Sequence, residues 1–269
     1  MIIDPHNAPS ISDKVIDLTN FLDGKILRRL KTDVLKDLPE KIEQTIYLDF
    51  NEDQKEEYNS YIKHYRGLPV NDLEKNFFSY INKLKHLCNF PEITQSSTKL
   101  DYVLDVLNSI NQPPNKLIIF SQYVETLNKI DNQLTADGYK TYMYHGSMNQ
   151  KEKDIALINF KDSDVFCILL ISLKAGGVGL NLQEATHLIL YDRWWNPALE
   201  NQAIGRAYRL GRHNSLHVIK FIINDSIEQD IERVIDEKKL LIDFVEGETI
   251  KQSTKIKDFF VNLLGGKNV

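Results

Sequence analysis

From residue 116 onward the sequence alternates short apolar runs with amphipathic stretches of helical length, and this alternation restricts the fold more than any other feature. The runs KLIIF (116–120), TYMYH (141–145), VFCILLIS (165–172), THLILYD (186–192) and LHVIKFII (216–223) read as strands. Between them, residues 123–137, 149–160, 197–210 and 226–245 carry Ile, Leu and Val three to four apart and read as helices. Strands that are apolar throughout and separated by helices predict an α/β fold: a parallel sheet covered on both faces. Ligands in such folds collect at the carboxyl ends of the strands. The loops after Phe120, His145, Ser172, Asp192 and Ile223 therefore form one predicted functional edge. Helix starts are marked by capping-box spacing at Ser147/Gln150 and Ser226/Gln229, and by Asn196 followed by Pro197.

The first 110 residues follow a different pattern. Residues 42–50 read as one further strand, and 52–66, 72–88 and 99–110 as helices, with Leu73, Phe77, Tyr80, Ile81, Leu84 and Leu87 along one face. Breaks fall at Gly67 to Pro69 and at Pro91. This predicts a helical subdomain ahead of the α/β body. No internal repeat is visible.

Bulk properties exclude several classes. At 42% hydrophobic residues over 269 positions the chain holds enough apolar side chains for a large core. Cys88 and Cys167 are the only cysteines, so neither a disulfide framework nor a zinc module is supported, and an intracellular setting is expected. No export signal precedes the fold. The longest apolar run, 165–171, is far below the ~18 residues of a membrane span, which predicts a soluble chain with no membrane partner. The net charge of −5 argues against nucleic-acid binding by bulk charge. Locally, residues 25–41 carry six Lys/Arg against three acids and residues 193–220 five against one, which fits either a directed site or solvated helix faces.

Two segments carry candidate chemistry. SLKAGGVGLNL (172–182) follows a strand, and its glycines allow close backbone approach to a ligand. It does not fit the dinucleotide fingerprint, which would need Gly where Leu182 stands. Alone, it fits equally a turn that needs positive φ. In QAIGRAYRLGR (202–212), a helix starting near Pro197 would place Gln202, Arg206 and Arg209 on one face. An arginine pair of this kind serves surface ion pairs or grips phosphate. Trp194 and Trp195 suit packing as well as contact, and His145 and His217 read as structural, His145 in a turn.

The order of several elements decides more than any one of them. KLIIFSQY, YHGSM, LLISLKAGGVGLNLQEATHLILYDRWWNP and QAIGRAYRLGR resemble motifs IV, IVa, V and VI of superfamily-two helicases. The Trp-Asn-Pro step and the Ala-Gly-Gly-Val-Gly-Leu-Asn run narrow the resemblance to the Swi/Snf family of DNA-dependent ATPases. Upstream, ILRRLKTDVLKDLPEK, the pair Gln54 and Tyr58, LKHLCNFPEI and SSTKLDYVLDVL resemble that family's linker and helical protrusion. The resemblance covers roughly residues 20–245. With so few cysteines to hold an inserted RING finger, it is nearer to the compact archaeal, bacterial and recombination-type members.

The resemblance implies a RecA-like C-terminal lobe, with residues 1–50 as linker, 51–110 as protrusion, 111–245 as the lobe and 246–269 as a helical tail. It implies two partners, double-stranded DNA and the N-terminal lobe of the same protein, with ATP held between the lobes. Arg206 and Arg209 would be arginine fingers. Gln202, Gly179 and Asn181 would face the nucleotide. Ser121, Gln122, Gly146, Ser172, Lys174 and Trp195 would lie along the DNA backbone. Arg212 and Gly205 depart from the family pattern, in which Gln commonly stands at the first position and an acidic or apolar residue at the second.

No G-x-x-x-x-G-K-[ST] phosphate cradle and no acidic metal box occur in the chain; its Gly-Lys pairs, at Gly24 and Gly266, lack that context. The expectation is one lobe without ATPase activity alone, Mg²⁺ being held mainly by the absent lobe. The alternative is a non-catalytic nucleic-acid-binding or interaction module on the same fold. The full-length reading frame upstream of Met1 separates the two.

Overall fold

A computed structural model describes residues 38–93, 96–173, 175, 179–194 and 196–242. Its centre is a six-stranded sheet of β1 (Lys41–Leu48), β2 (Lys116–Ser121), β3 (Thr141–Tyr144), β4 (Cys167–Ser172), β5 (His187–Leu190) and β6 (Leu216–Ile223). The strands lie in the order β1-β6-β5-β2-β4-β3, and every pairing is parallel.

Seven helices accompany the described strands: α1 (Glu52–Arg66), α2 (Val70–Asn89), α3 (Thr98–Ile110), α4 (Val124–Ala136), α5 (Gln150–Asp162), α6 (Pro197–Ala207) and α7 (Ile227–Ile242). Alternation along the central strands divides their side chains between two cores. Ile118, Phe120, Leu169 and Ile171 face a core that contains Phe160 of α5 and Ala203, Ile204 and Ala207 of α6. Leu117, Ile119, Ile168 and Leu170 face the other, with Leu100, Val103 and Leu107 of α3 and Leu127, Ile130 and Leu134 of α4. All six residues of β4 are buried, as a strand covered on both faces requires.

A third core joins α1 and α2 to the rest. Leu73, Phe77, Ile81, Leu84 and Leu87, the predicted face of α2, pack with Tyr58 of α1, Ile223 at the end of β6, and Ile227 and Ile231 of α7. Full burial of each such aliphatic side chain contributes about 1.5–3 kcal/mol. Gln54 and Tyr58 fix α1 in place. Gln54 donates to the Leu87 carbonyl (3.2 Å) and accepts from Thr98 N (3.0 Å), and the Tyr58 hydroxyl accepts from Ile227 N (2.7 Å). The sheet takes its edge strand from residues 41–48, and α3 shares a core with the sheet, so material from both sides of the expected boundaries at 50 and 110 builds one α/β body.

Local starts and stops differ from the sequence expectation in three places. The capping box of α5 is Asn149 with Glu152, because the Ser147 hydroxyl pairs with His145 Nδ1 (2.7 Å) inside the turn. At α7, Ser226 does cap, accepting from Glu228 N (3.1 Å), but the Gln229 side chain accepts from Asp225 N (3.1 Å) instead of closing a box. Helix α6 ends at Ala207 rather than near 210, with Tyr208 leaving helical geometry at φ −91° and ψ 86°. Asn196 and Pro197 open α6 as expected, Asn196 accepting from Ala198 N (3.0 Å).

At the amino end of the sheet His187 and His217 are register partners on β5 and β6, their rings stacked at 5.0 Å. Burial, then His217, then Arg212 push the His187 pKa down from 6.5 to about 4. An unfolded chain therefore takes up a proton below pH 6.5 that the folded chain refuses until about pH 4, and stability is lost as pH falls through that window. His187→Gln is expected to show a smaller drop in melting temperature between pH 7 and pH 5 than the parent chain. Parallel pH dependence in the two would contradict the assignment.

Candidate functional site

The carboxyl edge of the sheet is organised around Asp192, just past β5 and fully buried. Its carboxylate accepts from the Ser121 hydroxyl, from Gln122 N (3.0 Å), from Gln122 Nε2 (2.8 Å) and from Asn89 Nδ2 (3.2 Å) at the end of α2. Gln122 Nε2 also donates to the Arg193 carbonyl (2.6 Å), which engages both protons of that amide. Tyr123 N donates back to Ser121 Oγ (3.1 Å). The hydrogen-bond donors of the loop after β2 thus turn inward.

Behind Asp192 lie two buried lysines. Lys85 of α2 donates to the Arg193 carbonyl (2.7 Å), and its ammonium lies near the rings of Tyr123 and Trp194. Burial pulls the Lys85 pKa down to about 8 against the opposing pull of Asp192 and Glu228. Lys99 of α3 donates to Asn89 Oδ1 (2.9 Å), the Tyr191 carbonyl (2.9 Å) and Glu228 Oε1 (2.6 Å). The Arg193 guanidinium, nearly fully buried, pairs with Glu200 of α6 (3.4 Å) and Glu232 of α7 (2.5 Å). Glu200 accepts from Trp194 N (2.9 Å); burial raises its pKa while Arg193 and that N–H oppose the rise.

The two segments singled out by sequence meet at the opposite, amino end of the sheet, beside the starts of β1 and β6. Leu182 N donates to the Arg206 carbonyl (3.0 Å), stitching the end of the glycine-rich loop to α6. Leu180 and Leu182 anchor the loop in the core and leave Gly179 and Asn181 exposed between and before them. Gly179 has φ +35°, a value that favours glycine. Gln202 is exposed on α6 and Arg206 is half-buried. Arg209 is exposed beyond the helix end, so the shared helical face expected for Gln202, Arg206 and Arg209 holds for the first two only.

Arg212 has a different place. It is buried and donates to four carbonyls: Asn214 (2.5 Å), Ser215 (2.6 Å), Gln183 (3.0 Å) and Ala207 (3.3 Å). Burial pulls its pKa down from the ordinary arginine value. Its guanidinium is the staple that closes the turn after α6, with Gly211 at φ +88° supplying the reversal.

Of the expected DNA-backbone set, Ser121 and Ser172 are register partners on β2 and β4, both buried, and Leu173 N donates to the Ser121 carbonyl (2.9 Å). Gly146 is exposed in the turn after β3. Lys174 and Trp195 lie outside the described residues, as do the basic stretch before residue 38 and the tail 246–269. Among the described residues no group of three or more His, Cys, Asp or Glu could hold a metal, and no helix is long and apolar enough to cross a membrane.

A parallel sheet with helices on both faces, the end of its glycine-rich loop stitched to an arginine-bearing helix, has the layout of a RecA-like lobe, as its structural relatives bear out. Residues 98–211 match the helicase conserved C-terminal domain, and residues 6–93 match the SNF2-related domain. The putative ATP-dependent helicase/translocase YwqA of Bacillus subtilis is 34% identical over 235 residues, covering 81% of this chain and 25% of that protein. The C-terminal domain of the Sulfolobus solfataricus SWI2/SNF2 ATPase superposes with a TM-score of 0.67 at 23% identity, over 86% of this chain and 100% of that one. The core of that ATPase in complex with double-stranded DNA superposes with a TM-score of 0.69 at 25% identity, over 94% of this chain and 56% of that one. The chain belongs to the SNF2-related helicases, within which it holds the C-terminal RecA-like lobe. It spans a quarter or less of the length of the curated relatives it matches.

Proposed function

We propose that the chain is the second motor lobe of an ATP-driven double-stranded DNA translocase, supplying arginine fingers to a site completed by an N-terminal lobe. The observation that carries this reading is the Leu182 to Arg206 backbone hydrogen bond. It ties the end of the loop that carries Gly179 and Asn181 to the helix that carries Gln202 and Arg206, with Arg209 three residues further along. A guanidinium there suits the charge that spreads over phosphoryl oxygens during transfer. ATP supplies the phosphoryl group and, with Mg²⁺, is held mainly by the partner lobe, since the phosphate cradle motif is absent from this chain. Alone, the chain is expected to turn over no ATP.

Duplex DNA would run along the carboxyl edge of the sheet past Gly146, Ser172, Lys174 and Trp195. Ser121 and Gln122, whose donors are engaged by Asp192 and Arg193, contribute by shaping the loop beneath that path. The test is a titration of this chain with a labelled duplex at several salt concentrations. Log affinity is expected to fall with log salt by about 0.9 per phosphate contacted, irrespective of sequence. Binding that did not respond to salt would contradict the DNA path.

A further inference from the structure

The buried polar cluster at residues 192 and 193 is left unused by the proposed nucleotide site and DNA path. Replacing buried ion pairs by apolar side chains of equal volume is often neutral or stabilising, so their presence needs a reason beyond stability. Here two consecutive residues touch four separate elements. The Asp192 carboxylate gathers the loop after β2 and, through Asn89, the end of α2. The Arg193 guanidinium grips Glu200 in the first turn of α6 and Glu232 of α7. Gln122 Nε2 bridges the pair, donating to Asp192 Oδ1 and to the Arg193 carbonyl, and Lys85 fixes that carbonyl from the other side.

We propose that Asp192 and Arg193 are positioning residues that couple the loop beneath the DNA path to the arginine-bearing helix α6. The inference rests on the translocase reading above. A shift of the 121–123 loop has no slack to absorb it before α6, because both protons of the Gln122 amide and the Arg193 carbonyl are committed to the same junction. Movement at the DNA side is therefore passed to the helix that carries Arg206. Neither residue touches nucleotide or DNA in this account.

The experiment uses the full-length protein and compares Asp192→Asn, Gln122→Ala and the double variant. It reads duplex-stimulated kcat, KM for ATP and melting temperature, with assays well below the lowest melting temperature. Each single substitution is expected to lower kcat at saturating DNA about tenfold, within the range typical of coupling between sites, with KM for ATP within about twofold. The double variant is expected to be no slower than Asp192→Asn, since residues acting through one junction are not additive. A purely structural role would lower the melting temperature without this kcat-only, non-additive pattern.

Wild-type stimulation in Asp192→Asn, or losses that multiply in the double variant, would overturn the coupling. If Asp192→Asn does not fold, Gln122→Ala decides alone, because it leaves Asp192 its bonds from Ser121, Gln122 N and Asn89: full stimulation in it would overturn the inference. DNA-stimulated hydrolysis that needs Arg206 but tolerates these changes sinks only the coupling. A parent protein without any DNA-stimulated hydrolysis sinks the translocase reading and the coupling with it.

Discussion

Replacing Glu228 by Ala is expected to destabilise the fold by about 3–5 kcal/mol, the usual effect of stranding one partner of a buried ion pair. Glu228 and Lys99 are both fully buried, 2.6 Å apart. The three protons of the Lys99 ammonium go to three acceptors: Glu228, Asn89 Oδ1 and the Tyr191 carbonyl. Glu228 Oε2 also accepts from Ile223 N (3.1 Å), so the loss would fray the end of β6. The pair Lys99→Met with Glu228→Leu removes both charges and is expected to be much less destabilised than either single change. Urea unfolding midpoints measure all three. A single variant within about 1 kcal/mol of the parent would contradict this account, because that is the range of ordinary surface pairs.

Arg206→Ala in the full-length protein is expected to lower DNA-stimulated ATP turnover by about 10³-fold or more, equivalent to at least ~4 kcal/mol of transition-state stabilisation. Arg209→Ala is expected to do the same. The two arginines are held by different contacts. Arg206 is held by its helix and by the Leu182 hydrogen bond to its own carbonyl. Arg209 projects from the turn that Arg212 staples, with Arg212 N donating to the Arg209 carbonyl (3.3 Å). The loss should appear in kcat, since a finger acts on charge that develops only in the transition state.

Much of the fold is legible because its signals are local. The buried runs of β2 and β4, the 3.6-residue face of α2 and the Asn196 to Pro197 cap each lie within a few neighbouring residues, and the structure repeats them to within one to three positions. The misreadings are local competitions. Ser147 has the spacing of a cap, yet His145 takes its hydroxyl and Asn149 caps instead. Gln202, Arg206 and Arg209 have the spacing of one helical face, yet the chain leaves the helix at Tyr208 and turns through Gly211.

The site is legible only in part, because its polar partners are distant in sequence. Asp192 meets Ser121 and Gln122 across about 70 residues, and Lys99 meets Glu228 across 129. No spacing rule connects such pairs, so no sequence pattern singles out Lys85, Asn89, Arg193 or Glu200. Arg212 shows the same limit: its acceptors sit on three segments that only the folded turn brings together. Resemblance singles out Gln122 as a DNA-backbone contact, whereas the geometry aims its amide inward at Asp192 and the Arg193 carbonyl.

The central claim is that this lobe completes a nucleotide site with Arg206. Steady-state ATP hydrolysis by the full-length protein at saturating duplex DNA, parent against Arg206→Ala, tests it most directly, with binding of a fluorescent ATP analogue measured alongside. The account predicts turnover reduced about 10³-fold with analogue affinity changed far less. Turnover within a few-fold of the parent would contradict it.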